Sequence, residues 1–530
     1  MKIKSAGKFF SYVAKQFPVM CASGAFPLLP PVAEASKWLD RLDDLSQKGI
    51  AKHVTKLIRF KKDFIAAEAK AETIEDRAQA RALALSASGA ITELDGIRTW
   101  EKAPALYLQV AFTGLDQAAA MPAKSEKVRQ KRFLKRLKAI PALLEQAPAN
   151  IEAISPSSRA TAQTMIRDCA RYLAELGESE LGKVGKAPHF LAETLTALRD
   201  FDRFVTSRPE IPEAEGPPFA NMTKNVLGSD KTPEEIYAIA EDEFNHRIKS
   251  LRWLESKIGE DTNWKTAHES YLGPDCEDME ALDVIIREIH RLRRFMLDSA
   301  LPGIFTDSAL NIDPQPLHLT STLRPIHYDP ALGAWDDEAS HCYVSPQIFT
   351  GRGFRDNPAL LARIRREFIF MTASQTYPGR HLLDSQRRAL GDSPLSQVTN
   401  PLFMAGWLAF AENLLEEFGY LENPMDRLVH HQRGLCRAAL AMVDAGLAVG
   451  TMDQDKCLGI LSDAGFSKKE SLDHVRAIRL SPASLVMPVL GQYELTRLRQ
   501  ESNMELGPFC KTLFANGQLP FPILEELIQK

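Results

Sequence analysis

Side chains able to do chemistry concentrate in two stretches of the 530-residue chain, MTASQTYPGRHLL at 371–383 and FMAGWLAFAE at 403–412. The first holds Ser374, Gln375, Arg380 and His381, and the second ends on Glu412. Ser374 beside Gln375 and Arg380 has the composition of a nucleophile with oxyanion help, yet the stretch offers no base to take the hydroxyl proton. On an unbroken helix the spacing would put His381 on the same face as Ser374, but Pro378-Gly379 interrupts it. With one imidazole and no acid fixed beside it, His381 reads as a core or capping residue in preference to a metal ligand. Glu412 reads as a structural hydrogen-bond partner. The two together are the raw material for a rebuilt metal site, which stays open as the alternative.

Other constellations are weaker. His430 and His431 are neighbours on an expected helix, where adjacent side chains point about 100° apart and share one metal poorly, so a surface position is expected. Glu241, Glu243 and His246 read as a solvated helix face. His341 beside Cys342 pairs an imidazole with a thiol, but neighbours on a strand face opposite ways. The chain has no GxSxG, P-loop or Rossmann fingerprint, and GRGF at 351–354 is too short for a phosphate loop.

The two stretches together resemble a bacterial family catalogued as domain of unknown function 885, whose members look like zinc peptidases. In that family the segments read approximately HExYPGHHLQ and EGWALYAE. The frame is intact here: Tyr377, Pro378, Gly379, His381 and Leu382 match, as do Gly406, Trp407, Leu408, Ala411 and Glu412. FPVMCAS near the N-terminus, TWEKAPALYL at 99–108, VDAGL at 443–447 and FANGQLPFPILEELI at 514–528 follow in the family's order, so the resemblance covers nearly the whole chain.

The positions that would carry the chemistry have changed. A zincin-type site needs neutral imidazoles and a carboxylate on the metal, and a glutamate to take a proton from the bound water. Where the resemblance implies the leading His-Glu pair, this chain has Ser374 and Gln375. Serine is a poor zinc ligand, and glutamine cannot act as a base. The first histidine of the pair is Arg380, whose fixed charge would repel a dication, and the glutamate before Gly-Trp is Ala405. Ala448, Pro488 and Cys510 stand at three further positions where the family has polar residues.

The resemblance therefore implies a large helical zincin-peptidase-like body with a deep cleft, catalytic residues absent and zinc absent. The function expected is that of a pseudo-enzyme binding a peptide, another anionic ligand or a protein partner. Arg380 would pair with a ligand carboxylate, or else with an internal acid such as Glu412 or Asp384. The alternative is a hydrolase using metal-free chemistry or a non-family metal site in the same cleft.

The elements that must position these residues read as mainly α. Thr232-Pro233-Glu234-Glu235 opens a helix with an N-cap, a proline in the first turn and a capping-box glutamate. Behind it Ile236, Ile239, Phe244, Ile248, Leu251, Leu254 and Ile258 form an apolar stripe. Ser467 with Glu470 opens another helix, which Pro482 stops, and Asn423-Pro424 opens a third. Residues 60–120 and 124–200 read as long helices. The small β element is expected within 316–348, as LHLTSTL and HCYVSPQIF around a turn-rich middle. Proline and acid mark 206–218 as a linker. The expected lobes are 1–205, 219–350 with the β element, and 351–530 with the motif.

Net charge −4 and the neutral balance argue against a nucleic-acid partner. The basic run 124–138 has one aromatic, Phe133, and reads as a solvated helix face. Seven cysteines without a CxxC pair fit reduced thiols in a cytoplasm. No apolar run of about 18 residues predicts a membrane span, so the expected location is cytoplasmic.

Overall fold

Many of the described helices open on a side chain that caps the first turn. Ser46, Thr73, Ser125, Ser155, Asn400, Asn423, Asp453 and Ser467 each accept a hydrogen bond from an N–H of the turn they open. The capping boxes expected at Thr232–Glu235 and Ser467–Glu470 both form, with side chain and backbone exchanging bonds in each direction. The computed structural model describes residues 4–26, 28–258, 263–273, 279–304, 308–320, 324–335, 338–345 and 358–529. It is 71% helix and 3% strand, so helix packing sets the architecture.

The chain divides into two compact units. The first comprises Met1–Ala214, Gln315–Arg324 and Asp329–Tyr343; the second comprises Glu215–Pro314, Pro325–Tyr328 and Val344–Lys530. The break at Ala214 falls inside the proline- and acid-rich stretch.

Helices of eight or more residues in the first unit are α1 (Lys4–Gln16), α2 (Gln47–Ala69), α3 (Ile74–Ile91), α4 (Pro104–Ala120), α5 (Glu126–Leu144), α6 (Pro156–Glu178) and α7 (Ala187–Ser207). The basic run lies on α5, and there the solvated-face expectation is corrected. Lys124, Lys127, Lys131, Lys135 and Lys138 are exposed, but Arg132 and Arg136 are buried. Arg132 Nε donates to the Ala118 carbonyl at 2.7 Å and Arg136 Nε to that of Arg41 at 2.8 Å. Both satisfy carbonyls left over by helix ends and loops, which costs less than leaving those acceptors dry. Burial pulls the Arg136 guanidinium down to about 9.

The second unit holds α8 (Pro233–Ile258), α9 (Ala281–Phe295), α10 (Pro358–Gln375), α11 (Arg380–Arg388), α12 (Pro401–Glu417), α13 (Pro424–Val449), α14 (Gln454–Asp463), α15 (Lys468–Leu480), α16 (Met487–Ser502), α17 (Leu506–Ala515) and α18 (Phe521–Ile528). α8 and α13 form its most extensive helix pair. Leu251, Leu254, Leu428, Leu435, Ala439 and Val443 from that pair share one apolar core with Leu461, Phe466 and Ile478. Each Leu, Val, Ile or Phe among them contributes roughly 1.5–3 kcal/mol on burial.

The β element is a three-stranded sheet in the order β1-β3-β2, with β1 Leu310–Pro314, β2 Ile326–Asp329 and β3 Ser340–Val344. β3 alternates buried and half-buried residues, which turns Cys342 inward and His341 to the other face. The segment LHLTSTL is not a strand where it is described: Leu317–Leu319 is a 3₁₀ turn. Pro316 fixes its own φ and starts the turn, and β1 lies before it. GRGF and the tail of HCYVSPQIF fall outside the described residues.

Candidate functional site

The motif is built at the junction of α10, α11 and α12, all in the second unit. α10 ends on Gln375, the Tyr377–Pro378 peptide is cis, and α11 begins at Arg380. Gly379 N donates to the Ala373 carbonyl at 3.0 Å, and a Cβ on Gly379 would collide with the main chain of Ala373 and Ser374. Only glycine closes this turn. Trp407 from α12, fully buried, donates its indole Nε1 to the Pro378 carbonyl at 2.9 Å. At the residue before it α12 crosses α16 so closely that a Cβ on Gly491 would lie 2.6 Å from Gly406 Cα. The two motif segments are thus adjacent, as expected.

At the altered positions, Gln375 is buried and its Oε1 accepts the Tyr328 N–H at 3.1 Å, while its amide donates to Ser374 Oγ at 3.4 Å. Ser374, Arg380 and Ala405 are half-buried. The Arg380 guanidinium lies 5.8 Å from the centre of the Tyr328 ring. His381 is completely buried, with the Tyr377 and Tyr328 rings at 5.1 and 5.7 Å, and burial pushes its pKa down to about 4. It packs as part of the core. Asp384 accepts from Tyr328 Oη at 2.7 Å and pairs with Arg387 and Arg388. Burial raises its carboxyl, but the two guanidinium groups outweigh that and hold it below the usual range.

Glu412 is buried on α12 and taken up by two arginines of α13. Arg433 meets both its oxygens at 3.2 Å, and Arg437 Nη1 reaches Oε2 at 2.9 Å. Arg433 also pairs with Glu367 of α10, which pairs with Arg363. Burial would raise the Glu412 carboxyl, yet Arg433, Arg437 and His430 hold it well below its ordinary value. His381 is the one imidazole among these motif residues, and the carboxylates of Asp384 and Glu412 are already bound to arginines.

Behind Glu412 lies a cluster that sequence reasoning assigned wrongly. His430 and His431 were expected at the surface; they are 0% and 7% exposed. Glu243 was expected on a solvated face with no second cluster; it pairs with Arg247 at 2.7 Å. The reason is Arg247, which sits among the apolar stripe residues of α8 and points into the α8–α13 interface, 3% exposed. Its Nη1 lies 3.2 Å from His430 Nε2 and 3.1 Å from His431 Nδ1, and its Nη2 donates to Asn413 Oδ1 at 2.9 Å. Arginine never gives up its proton, so both facing imidazole nitrogens must be acceptors. That leaves His431 Nε2 to donate to Glu416 Oε1 at 3.1 Å, and His430 Nδ1 to face Glu412 Oε1 at 3.6 Å. Burial pushes His430 down to about 4. Space for the guanidinium comes from Gly434, where a Cβ would stand 2.6 Å from Arg247 Nε and 2.9 Å from Cζ.

A model of the family described as bacterial protein of unknown function (DUF885) matches residues 33–528. No curated protein matches the sequence. Proteins of solved structure that share the fold include these two. One, from Colwellia psychrerythraea and described as a "putative lipoprotein", superposes with a TM-score of 0.74 at 14% identity, over 99% of this chain and 98% of its own. The other, from Shewanella oneidensis and described likewise with unknown function, gives 0.70 at 14% identity over 99% of each chain.

Proposed function

The chain belongs to the DUF885 family of bacterial proteins, and on that premise we propose that it is a non-catalytic member that binds through its altered motif. Its ligand is a peptide or another anionic group, presented free or on a protein partner. The observation that carries this reading is the contrast within one junction. The frame is kept by Trp407 on Pro378 and by the Gly406–Gly491 crossing, while Ser374, Gln375, Arg380 and Ala405 stand where metal chemistry would need other groups. Arg380 is the first residue of α11, so its guanidinium and the positive end of that helix favour the same anionic partner. The test is binding of short peptides with free C-terminal carboxylates against their C-amidated forms, followed by calorimetry. Preference for the free carboxylate, lost in Arg380→Ala at unchanged melting temperature, supports the proposal. Equal binding of both forms, or none, rejects it.

The second reading, a hydrolase with a metal rebuilt on His381 and Glu412, draws no support from the geometry. Glu412 is neutralised by Arg433 and Arg437, and His381 is closed in by two tyrosine rings.

A cytoplasmic location remains part of the proposal. The described cysteines 21, 169, 342, 436, 457 and 510 are all free and buried, which suits a reducing compartment. Among the described residues no helix is long and apolar enough to cross a membrane. The two structural relatives are each described as a "putative lipoprotein", a description that, carried to this chain, would put it at a membrane surface. Cell fractionation decides between these locations for the present chain.

A further inference from the structure

We infer that the guanidinium of Arg247 fills the cation position of a three-ligand site formed by His430, His431 and Glu416, a site that would otherwise take a borderline divalent metal ion such as Zn²⁺. One ligand atom from each of the three residues can be chosen so that all lie within 4.8 Å of one another. In a tetrahedral zinc site such atoms stand roughly 3.4 Å apart, so small rotations about side-chain bonds bring them to one ion. Two imidazoles and a carboxylate are a donor set that zinc accepts, leaving one position for water.

Four features mark the arginine as the resident of this position. Its Nη1 hydrogen-bonds to a nitrogen of both histidines, including His430 Nε2, which also lies 3.5 Å from Glu416 Oε2. A metal ion there would need that lone pair. Its remaining directions are anchored by Glu243 and Asn413, so it does not swing free at the cost of one bond. Gly434, one turn beyond His430 and His431, leaves room where a Cβ would strike the guanidinium. Finally, the groups around it form an acidic cage. Glu243, Glu412 and Glu416 face it or its histidine partners, and of these Glu412 is already neutralised by Arg433 and Arg437. Taking one positive charge out leaves two imidazole lone pairs and two carboxylates turned toward a hole, which is the electrostatic description of a metal site. Glu243, which holds Arg247 from outside, also lines a cavity of ≈ 350 Å³ with Gln492 and Tyr493. The cluster lies on α8, α12 and α13 and uses none of the altered motif positions.

The test compares wild type with Arg247→Ala in Zn²⁺ titrations by calorimetry, and in melting curves with added Zn²⁺, Mg²⁺ or low guanidinium chloride against sodium chloride. The variant should take up about one Zn²⁺ per chain, at least roughly tenfold more tightly than wild type. Its melting temperature should rise with Zn²⁺ and with guanidinium, but not with Mg²⁺ or Na⁺, since Mg²⁺ prefers oxygen donors. Adding His431→Ala should abolish the zinc response. If Arg247→Ala is unfolded alone, refolding in Zn²⁺ is the readout, followed by circular dichroism. Absence of zinc uptake or zinc-dependent refolding in the variant overturns the inference. So does zinc uptake by wild type that His431→Ala removes, because the arginine would then not hold the position.

Discussion

The indole Nε1 of Trp407 donates to the Pro378 carbonyl across 2.9 Å, and this one bond fastens the two halves of the motif to each other. Neither group does chemistry. Tryptophan brings a large apolar body, packed on Phe514 at a 4.9 Å ring distance, together with a single donor aimed at a turn that leaves a carbonyl without a helical partner. The Gly406–Gly491 crossing lies immediately beside it. Trp407 and Gly406 thus hold the junction by packing and one hydrogen bond, whichever side chains stand at 374, 375, 380 and 405.

That assignment predicts a stability phenotype with no effect on metal content. Trp407→Phe should destabilise by roughly 2–4 kcal/mol, through lost volume and an unsatisfied Pro378 carbonyl. Gly406→Ala should cost roughly 1–3 kcal/mol by forcing α12 and α16 apart. Urea denaturation measures both. Either substitution leaving the midpoint unchanged would remove the frame from its proposed role.

Gly434→Ala should also destabilise, against the usual trend. In a helix interior this exchange ordinarily gains roughly 0.5–1 kcal/mol. Here the new methyl would strike Arg247 Nε, Cδ and Cζ, displacing a buried guanidinium from His430, His431, Glu243 and Asn413. A loss of roughly 2–4 kcal/mol is expected from the broken buried pair, read as a lower urea midpoint. A stabilised Gly434→Ala protein would mean that the guanidinium has room to spare.

Acid should weaken the fold in two adjoining windows. His430 is pushed by burial to about 4 from an ordinary 6.5. Between those values the unfolded chain binds a proton that the folded chain refuses, so stability falls as pH drops from 6.5 to 4. At roughly 1.4 kcal/mol per pH unit the full contribution is at most about 3 kcal/mol. Glu416 works in the window below. Burial raises it, but His431, His430 and Arg247 outweigh that and bring it from 4.5 to about 2. Its contribution is complete above pH 4.5 and lost as pH falls toward 2. His381 and His268 are also held near 4, so the wild-type slope is shared among them. His430→Phe should flatten the upper window in part and leave the lower one. Urea midpoints measured from pH 7.5 to 3 check this, and identical profiles would remove His430 from the account.

Much of the fold was legible because helix signals are local. Ser467 with Glu470, Asn423-Pro424 and Thr232-Pro233 each name a helix start by a bond made within one turn. LHLTSTL misled because it has the composition of a strand, and Pro316 decides otherwise. The cluster around Arg247 was half visible. Arg247 stands seven residues after Ala240 and seven before Leu254, both buried, so a charge was written into an apolar seam. His431 similarly stands three residues after Leu428 and four before Leu435. The helix wheel of each element was enough to raise the question, but which helix faces which is a long-range fact. The partnership of Arg247 with His430 and His431 spans 183 and 184 residues.

The last prediction concerns the motif itself. Purified wild-type protein should hold no stoichiometric zinc and should show no peptidase activity that a chelator removes and zinc restores. The sharper experiment reverses the changes: Ser374→His, Gln375→Glu, Arg380→His and Ala405→Glu together. Each alone is unfavourable, since a glutamate at buried position 375 or a new carboxylate at 405 brings in a charge without the metal ion that would neutralise it. The four together supply the donor set of a zinc site on a frame held by Trp407 and Gly406. At position 375 the Tyr328 N–H that Gln375 now accepts can be accepted equally by glutamate, so the local backbone has no reason to move. The fourfold variant should therefore melt lower than wild type without metal and recover with Zn²⁺, while wild type does not respond. Single reversions should melt lower and stay low in Zn²⁺. The contrast is independent of Arg247, because His431→Ala should leave the zinc response of the fourfold variant intact. If the fourfold variant takes up no zinc, the four positions do not converge on one point, and the pseudo-enzyme reading loses its geometric basis.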